Sequence, residues 1–538
     1  MPVMNAQVVV EAGRVLRHRW DAGLLRARLR RQHARALRLE RPARGRTRAV
    51  LPILILVSLY YAFLGSSGRF VDLPIAHTNY YDRLAQGFAA GHLYLPEPPS
   101  SALLMRANPY AAQNVSHWVW DASLYGKHYY LYFGPVPALL LLALRSVAFQ
   151  AGVITDQWPT ILFLLGRFYA GSGLLVGLAN RLKVPPPTWL LVLSVAVFGL
   201  AHPVPYVAMR PSVWEAALAG GQCFLFIGLW LAFVALGTPK HRRICLLLAG
   251  SMWGLAIGCR ATMAIPTPAL VLVTLGMLWY SGRRGRSWLL DALSLAVPFA
   301  ALCALHGWYN WARFGSAFEF GIRYQTTLQP FRGSSSYVLP NLYAYLFTVP
   351  LLSCRFPFVG LPAQRVMPDW IGNPLGYATF EQLGGLLFLA PWIVLTPVGA
   401  WFALRRRRLA DPLGNHSFSP TEVWLGLSCV AIVPSMIPVL HLWLAAPRYP
   451  GDAVGGLIIL ASIFAYFLAR TFPTASSRRG RVLRVVVPAL GITTCLLSAL
   501  TAFAISTRSF PILNPLLYQK IESTLSLCPA GPAHGGPI

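Results

Sequence analysis

Apolar residues along this chain gather in runs of about twenty, separated by shorter polar stretches that are often basic. Windows of that kind fall near 50–66, 134–151, 158–179, 188–206, 212–236, 244–262, 263–281, 288–306, 384–404, 421–444, 454–472 and 485–506. An α-helix rises 1.5 Å per residue, so about twenty residues cross the roughly 30 Å hydrocarbon core of a bilayer. The pattern predicts an all-α fold, a polytopic transmembrane helix bundle of about twelve helices with two long loops, 67–133 and 307–383. Within the first loop, residues 80–95 place Tyr81, Leu84, Ala85 and Phe88 at helical spacing with polar residues between them, as a helix lying on the membrane surface would. No internal repeat of fixed period is present.

Composition agrees with the runs: the 538 residues are 56% hydrophobic and only 12% charged, more apolar surface than a soluble fold can hide. The formal charge of +29 would suggest nucleic acid as a partner if the chain were soluble, so the placement of the arginines decides. They cluster at Arg14 to Arg48, at 240–243, at 283–286, at Arg405 to Arg408 and at Arg478 to Arg484, each beside or between apolar runs. Lys and Arg near span ends are retained on the cytoplasmic side. The charge thus reads as topology, with no nucleic-acid partner. The domain reading is a basic cytoplasmic arm over 1–49, a bundle over 50–506 that includes the two external loops, and an external tail over 507–538. The arm has no short apolar core with a small-residue cleavage site directly behind it, so it reads as an extension of a multi-pass protein of the cytoplasmic (inner) membrane with its N-terminus inside.

One conflict stands in this topology. With 67–133 outside, the run 134–151 has to begin outside and also end outside if 180–187 is to lie inside. Either the run is re-entrant, or the neighbouring spans divide differently, or the Arg181/Lys183 loop breaks the charge rule.

Of eight cysteines, Cys223, Cys245, Cys259, Cys303, Cys429 and Cys495 lie in or at the ends of apolar runs and read as packing residues. Cys354 and Cys528 lie outside the runs on the external side, where they could pair.

Acids are few, seventeen in all, and most fall on the external side, interleaved with arginines at helix ends. The densest stretch is 118–137, which carries Asp121 and Lys127 among tryptophans and tyrosines. Its aromatics suit either an interfacial belt or the stacking of sugar rings. An acid at the mouth of a bundle can take the proton of an acceptor hydroxyl, the work of a general base. Arg260 stands where two apolar runs meet, a depth that requires an anion or a carboxylate beside it, and the same pair of readings applies to Arg323 with Tyr324 and Arg448 with Tyr449. There is no P-loop, G-x-G-x-x-G, H-E-x-x-H, G-x-S-x-G or paired C-x-x-C signature.

With the first span, the loop opening Tyr80-Tyr-Asp-Arg-Leu-Ala-Gln-Gly-Phe-Ala-Ala-Gly91, the stretch Asp121 to Pro137 leading into the next run, Trp311 to Gly321, and Arg448-Tyr449, the chain resembles the multi-span GT-C glycosyltransferases that use polyprenyl-phosphate sugars, in particular bacterial relatives of protein mannosyltransferases. The resemblance implies transfer of a sugar from a polyprenyl-phosphate donor to a cell-envelope acceptor on the external face. It implies membrane lipid, a polyprenyl-phosphate-linked sugar, and an envelope polysaccharide, lipid or protein as partners. No tightly bound cofactor is implied, and a divalent metal near the acids stays open.

The family's base is a carboxylate of the first external loop, usually an acid pair just ahead of the tyrosines. Here that place holds His77-Thr78. The base is then His77, Asp72, Asp82 or Asp121, with Asp121 favoured and Asp82 next. Substrate contacts fall to Lys127, Arg260, Arg323, Tyr324, Arg448 and Tyr449. Two other classes stay open: a transporter or flippase, which would want charges at mid-span where only Arg145 and Arg167 are found, and a non-catalytic envelope-assembly protein.

Overall fold

The computed structural model describes residues 45–70, 78–147, 152–328, 333–363, 367–378, 381–407, 418–472, 478–504 and 510–528. The chain divides into two compact units, 1–52 and 53–538. The described part of the first, 45–52, is helical. Apart from the start of the helix Gly45–Gly65, all that follows concerns the second.

Among the described residues, eight helices are long and apolar enough to cross a membrane: Gly45–Gly65, Gln157–Arg181, Val213–Gly237, Ala261–Tyr280, Gly285–Phe314, Pro420–Leu440, Gly451–Thr471 and Arg478–Ala504. This is a multi-pass membrane protein of all-α architecture. Among the described residues, strand is confined to two short antiparallel hairpins.

Two of the twelve windows are interrupted helices. The window 188–206 forms Thr188–Leu200 and then Val204–Met209, broken at His202-Pro203. The window 384–404 forms Leu386–Leu389, a 3-10 turn over Pro391–Val394, and Leu395–Arg407. Proline at the start of each later segment ends the preceding hydrogen-bond ladder, because it lacks an N–H to continue it.

The window 134–151 resolves the topological conflict. Its helix, Val136–Val147 (α2), has 12 residues and spans about 18 Å, short of the bilayer core. It begins where the Val136 N–H donates to Gly258 O (3.0 Å) at the end of Arg242–Ile257. In its last turn Arg145 grips Asp82 of the preceding helix, Tyr80–Ala89 (α1). The next long helix, Gln157–Arg181 (α3), starts beside α1 as well: Asp156 accepts from Thr78 Oγ1 (2.6 Å) and from the Tyr80 and Tyr81 N–H groups (3.1 Å each). Thr78 Oγ1 in turn accepts from the Val213 N–H (2.8 Å), at the head of Val213–Gly237 (α4). Both ends of α2 therefore lie at the same end of the bundle, and the run is re-entrant. Removing it from the twelve windows leaves an odd number, which the charge pattern requires.

Helix α1 falls within the stretch read as interfacial, but Tyr80, Tyr81, Asp82, Leu84 and Ala85 are all buried. Tyr80, Tyr81, Leu84 and Ala85 form one apolar cluster with Leu124, Tyr129, Leu131, Ala138 and Leu141, so the apolar face of α1 packs against the loop fold.

The two long loops pack together. The hairpin Ser123–Tyr125 (β1) and His128–Tyr130 (β2) turns at Gly126 (φ 53°) and Lys127 (φ 67°), the pair of positive φ values that a two-residue I′ turn needs. Ser123 then bridges Gln325 of the second loop, the Thr326 N–H donates to Ala122 O (3.0 Å), and Ser123 Oγ donates to Gly321 O (2.8 Å). Arg313, in the last turn of Gly285–Phe314, donates to Leu131 O (2.7 Å) and to Asn310 Oδ1 (2.8 Å), fixing the far end of the hairpin.

Cys354 and Cys528 form a disulfide with their Cα atoms 5.7 Å apart, joining the second loop to the chain beyond Pro515–Leu525.

Candidate active site

A cavity of about 560 Å³ opens between the two loops and the helix ends beneath them. Its polar lining comes from separate parts of the chain: Asp121 and Trp120 from the first loop, Gln325, Thr327 and Glu381 from the second, Arg210 and Trp214 around the head of α4, Arg260 and Thr262, and Arg448 with Tyr449.

Asp121 immediately precedes β1, with its backbone in the left-handed region (φ 58°), where Asp is among the few side chains tolerated. One of its carboxylate oxygens accepts from Gln325 Nε2 (2.6 Å) and from Thr327 Oγ1. The second loop thereby aims the carboxylate of the first. Burial raises the Asp121 pKa above the usual carboxylate value, and the Thr327 hydroxyl, the Arg448 charge, Gln325 and Trp214 pull in the other direction.

Arg260 follows the end of Arg242–Ile257 and lies 2.8 and 2.9 Å from the two oxygens of Asp452, with Thr262 Oγ1 adding a bond of 3.0 Å. Asp452 sits in the first turn of Gly451–Thr471, where the helix dipole favours an anion. Arg448, just ahead of that helix, has its guanidinium 5.4 Å from the Trp214 ring and 5.1 Å from Tyr449. Arg210 reaches the same indole from its own side at 5.8 Å and donates to Tyr206 Oη (2.9 Å). Glu381 stands between the two, 3.6 Å from Arg448 and 4.0 Å from Arg210.

Of the residues singled out from the sequence, Asp121, Arg260, Arg448 and Tyr449 line this one cavity. The others are placed elsewhere. Asp82 is fully buried, held by two bonds from Arg145 (2.6 and 2.8 Å) and one from Gln86 (3.0 Å), and is not part of the lining. Lys127 forms the exposed tip of the β-turn, its place set by backbone geometry. Arg323 points outward with its side chain 77% exposed, 3.6 Å from Glu319. Tyr324 packs on Tyr125 and Phe314, while its neighbours Ile322 and Gln325 face the cavity. His77 and Asp72 lie outside the described residues.

Sequence reasoning singled out none of Arg210, Glu215 and Glu381. Glu215 offered a signal, since an acid inside an apolar run requires a reason. It is fully buried in the first turn of α4, close enough to Arg448 and Arg210 to feel their charge.

No family model matches the chain, and no curated protein matches it. Among solved structures it is similar to the Archaeoglobus fulgidus oligosaccharyltransferase in its apo form, at 12% identity over 91% of this chain and 61% of that one, with a TM-score of 0.47. It is likewise similar to the same organism's AglB in complex with an inhibitory peptide and a dolichol-phosphate (11%, 91% and 61%, TM-score 0.42). A third is ArnT from Cupriavidus metallidurans bound to undecaprenyl phosphate (14%, 84% and 77%, TM-score 0.37). The chain thus spans less than two thirds of the oligosaccharyltransferase's length.

Proposed function

We propose that this protein is a membrane glycosyltransferase that moves a sugar from a polyprenyl-phosphate donor to a cell-envelope acceptor on the external face of the cytoplasmic membrane. The observation that carries the reading is the convergence of Asp121, Arg260 and Arg448, remote in sequence, on one cavity at the end of the bundle opposite the basic loops.

Asp121 is placed to act as general base. A carboxylate that accepts from two neutral donors through one oxygen keeps lone pairs for the hydroxyl of an acceptor, and buried surroundings make it more basic. As the acceptor oxygen attacks the anomeric carbon, its proton passes to Asp121, the glycosidic C–O bond breaks, and the electron pair leaves on the polyprenyl phosphate. Guanidiniums at the phosphate stabilise that charge as it develops. Trp120, Trp214 and Tyr449 give flat apolar faces on which a sugar ring can stack.

Purified protein supplied with a polyprenyl-phosphate sugar tests the reading. Wild type should release polyprenyl phosphate, and Arg448→Gln should raise the donor KM by about tenfold or more through loss of a charge-assisted bond. If wild type neither hydrolyses nor transfers from any such donor, the reading falls.

A further inference from the structure

Buried arginines in this fold differ in what their nitrogens do. Arg313 uses all three, on Tyr309 O (3.3 Å), Leu131 O (2.7 Å) and Asn310 Oδ1 (2.8 Å). Arg260 uses one. Its Nε donates to Asp452 Oδ2 (2.9 Å) and lies 2.8 Å from Oδ1, while neither terminal nitrogen hydrogen-bonds to any described residue. The residue is only 7% exposed, yet neither terminal nitrogen is enclosed by protein. Arg260 lines the cavity, so the open end of its guanidinium faces that space.

Asp452 has the opposite character: it is fully buried and is not part of the cavity lining. Its Oδ2 also accepts from Thr262 Oγ1 (3.0 Å), and its carbonyl accepts from Gln222 Nε2 (2.9 Å) of α4. One residue earlier in α4, Gly221 leaves room for the arginine stem, since a Cβ there would lie 3.3 Å from Arg260 Cβ. Carboxylate and arginine are thus fixed against the same helix. A guanidinium gripped at Nε offers its two terminal nitrogens as a planar fork, the geometry that takes two oxygens of one phosphate. An arginine already fixed in this way loses less conformational freedom when a ligand arrives.

We propose that Asp452 is a positioning residue for the donor phosphate, holding Arg260 by Nε so that both terminal nitrogens bind oxygens of the lipid phosphate. The inference rests on the glycosyltransferase reading and adds to it the ligand of Arg260 and the group that aims it. Asp452 acts through Arg260 and touches no substrate.

Undecaprenyl phosphate, which carries no sugar and needs no chemistry, is the probe, titrated into the full chain in detergent. Arg260→Lys keeps a positive charge opposite Asp452 but replaces the fork with a single ammonium, and should bind about tenfold more weakly than wild type. Asp452→Glu keeps the carboxylate and shifts it by one methylene, and should weaken binding by about the same factor. The two losses should not add: Asp452→Glu placed in Arg260→Lys should cost about twofold or less, because Asp452 acts only through the fork. Full additivity would show a merely structural role and overturn the inference. If Asp452→Glu does not purify as a folded protein, Asp452→Asn takes its place. That change also removes a negative charge, so weaker binding supports positioning, whereas equal or tighter binding overturns it. Unchanged affinity in Arg260→Lys, with wild type binding, overturns the inference and leaves the transferase reading standing. Absence of binding by wild type removes the transferase reading together with it.

Discussion

Asp121 and Asp82 look alike in the sequence, each an acid among tyrosines and alanines in the first long loop, and their difference comes entirely from partners far along the chain. Arg145, 63 positions on, takes both oxygens of Asp82, whereas Gln325 and Thr327, more than 200 positions on, take one oxygen of Asp121, which lines the cavity. Residue type and spacing therefore singled out Asp121, Arg260 and Arg448, and could not separate them from Arg323 and Lys127, whose exposure is set by a turn and a loop edge. The environment of Asp121 has a consequence for pH. A general base works ionised, and burial raises the pKa of this one above the ordinary 3.8. Transfer should fall as the pH drops through that raised pKa, so the acid limb of the kcat profile should lie above pH 3.8. A limb at or below the ordinary carboxylate value would show that Asp121 is not the group being titrated.

At the scale of elements, the apolar windows located the helices well because hydropathy and length are local properties. What they could not express was whether a run crosses. The window 134–151 has the composition of a span, yet only 12 of its residues form the described helix, and the bond from Arg145 to Asp82 returns its far end to the side on which it began. Charge parity signalled the fault without locating its cause. The buried face of α1 was missed for a related reason, since an amphipathic helix has the same spacing whether its apolar face meets lipid or a neighbouring loop. Re-entry predicts that positions on both flanks of α2 share a compartment. Lys127 and Val153 are both exposed, and cysteines placed there singly should both react with a membrane-impermeant thiol reagent in intact cells, whereas one at Lys240 should not. Labelling of Lys127→Cys without Val153→Cys would show that α2 crosses.

Over the whole second unit, acids and arginines divide between the two helix ends in different ways. At the basic end, Asp291 is surrounded by Arg283 (2.9 Å), Arg243 (3.4 Å) and Arg242 (3.9 Å), and Glu422 pairs with Arg470 (2.6 Å), so each acid is consumed in tying helices together. At the other end the charges converge on a cavity roofed by two loops that hydrogen-bond to each other, and the disulfide between Cys354 and Cys528 fits an oxidising compartment on that side. The central claim is that this cavity performs glycosyl transfer with Asp121 as base. Its most direct test is the rate of transfer from a polyprenyl-phosphate sugar by purified wild type and Asp121→Asn at saturating donor, with Asp82→Asn alongside as an acid outside the cavity. The asparagine keeps shape and hydrogen bonding but cannot take a proton, so Asp121→Asn should lose about 10²–10⁴ in rate while folded Asp82→Asn keeps most of its activity. Full transfer by Asp121→Asn would contradict the account.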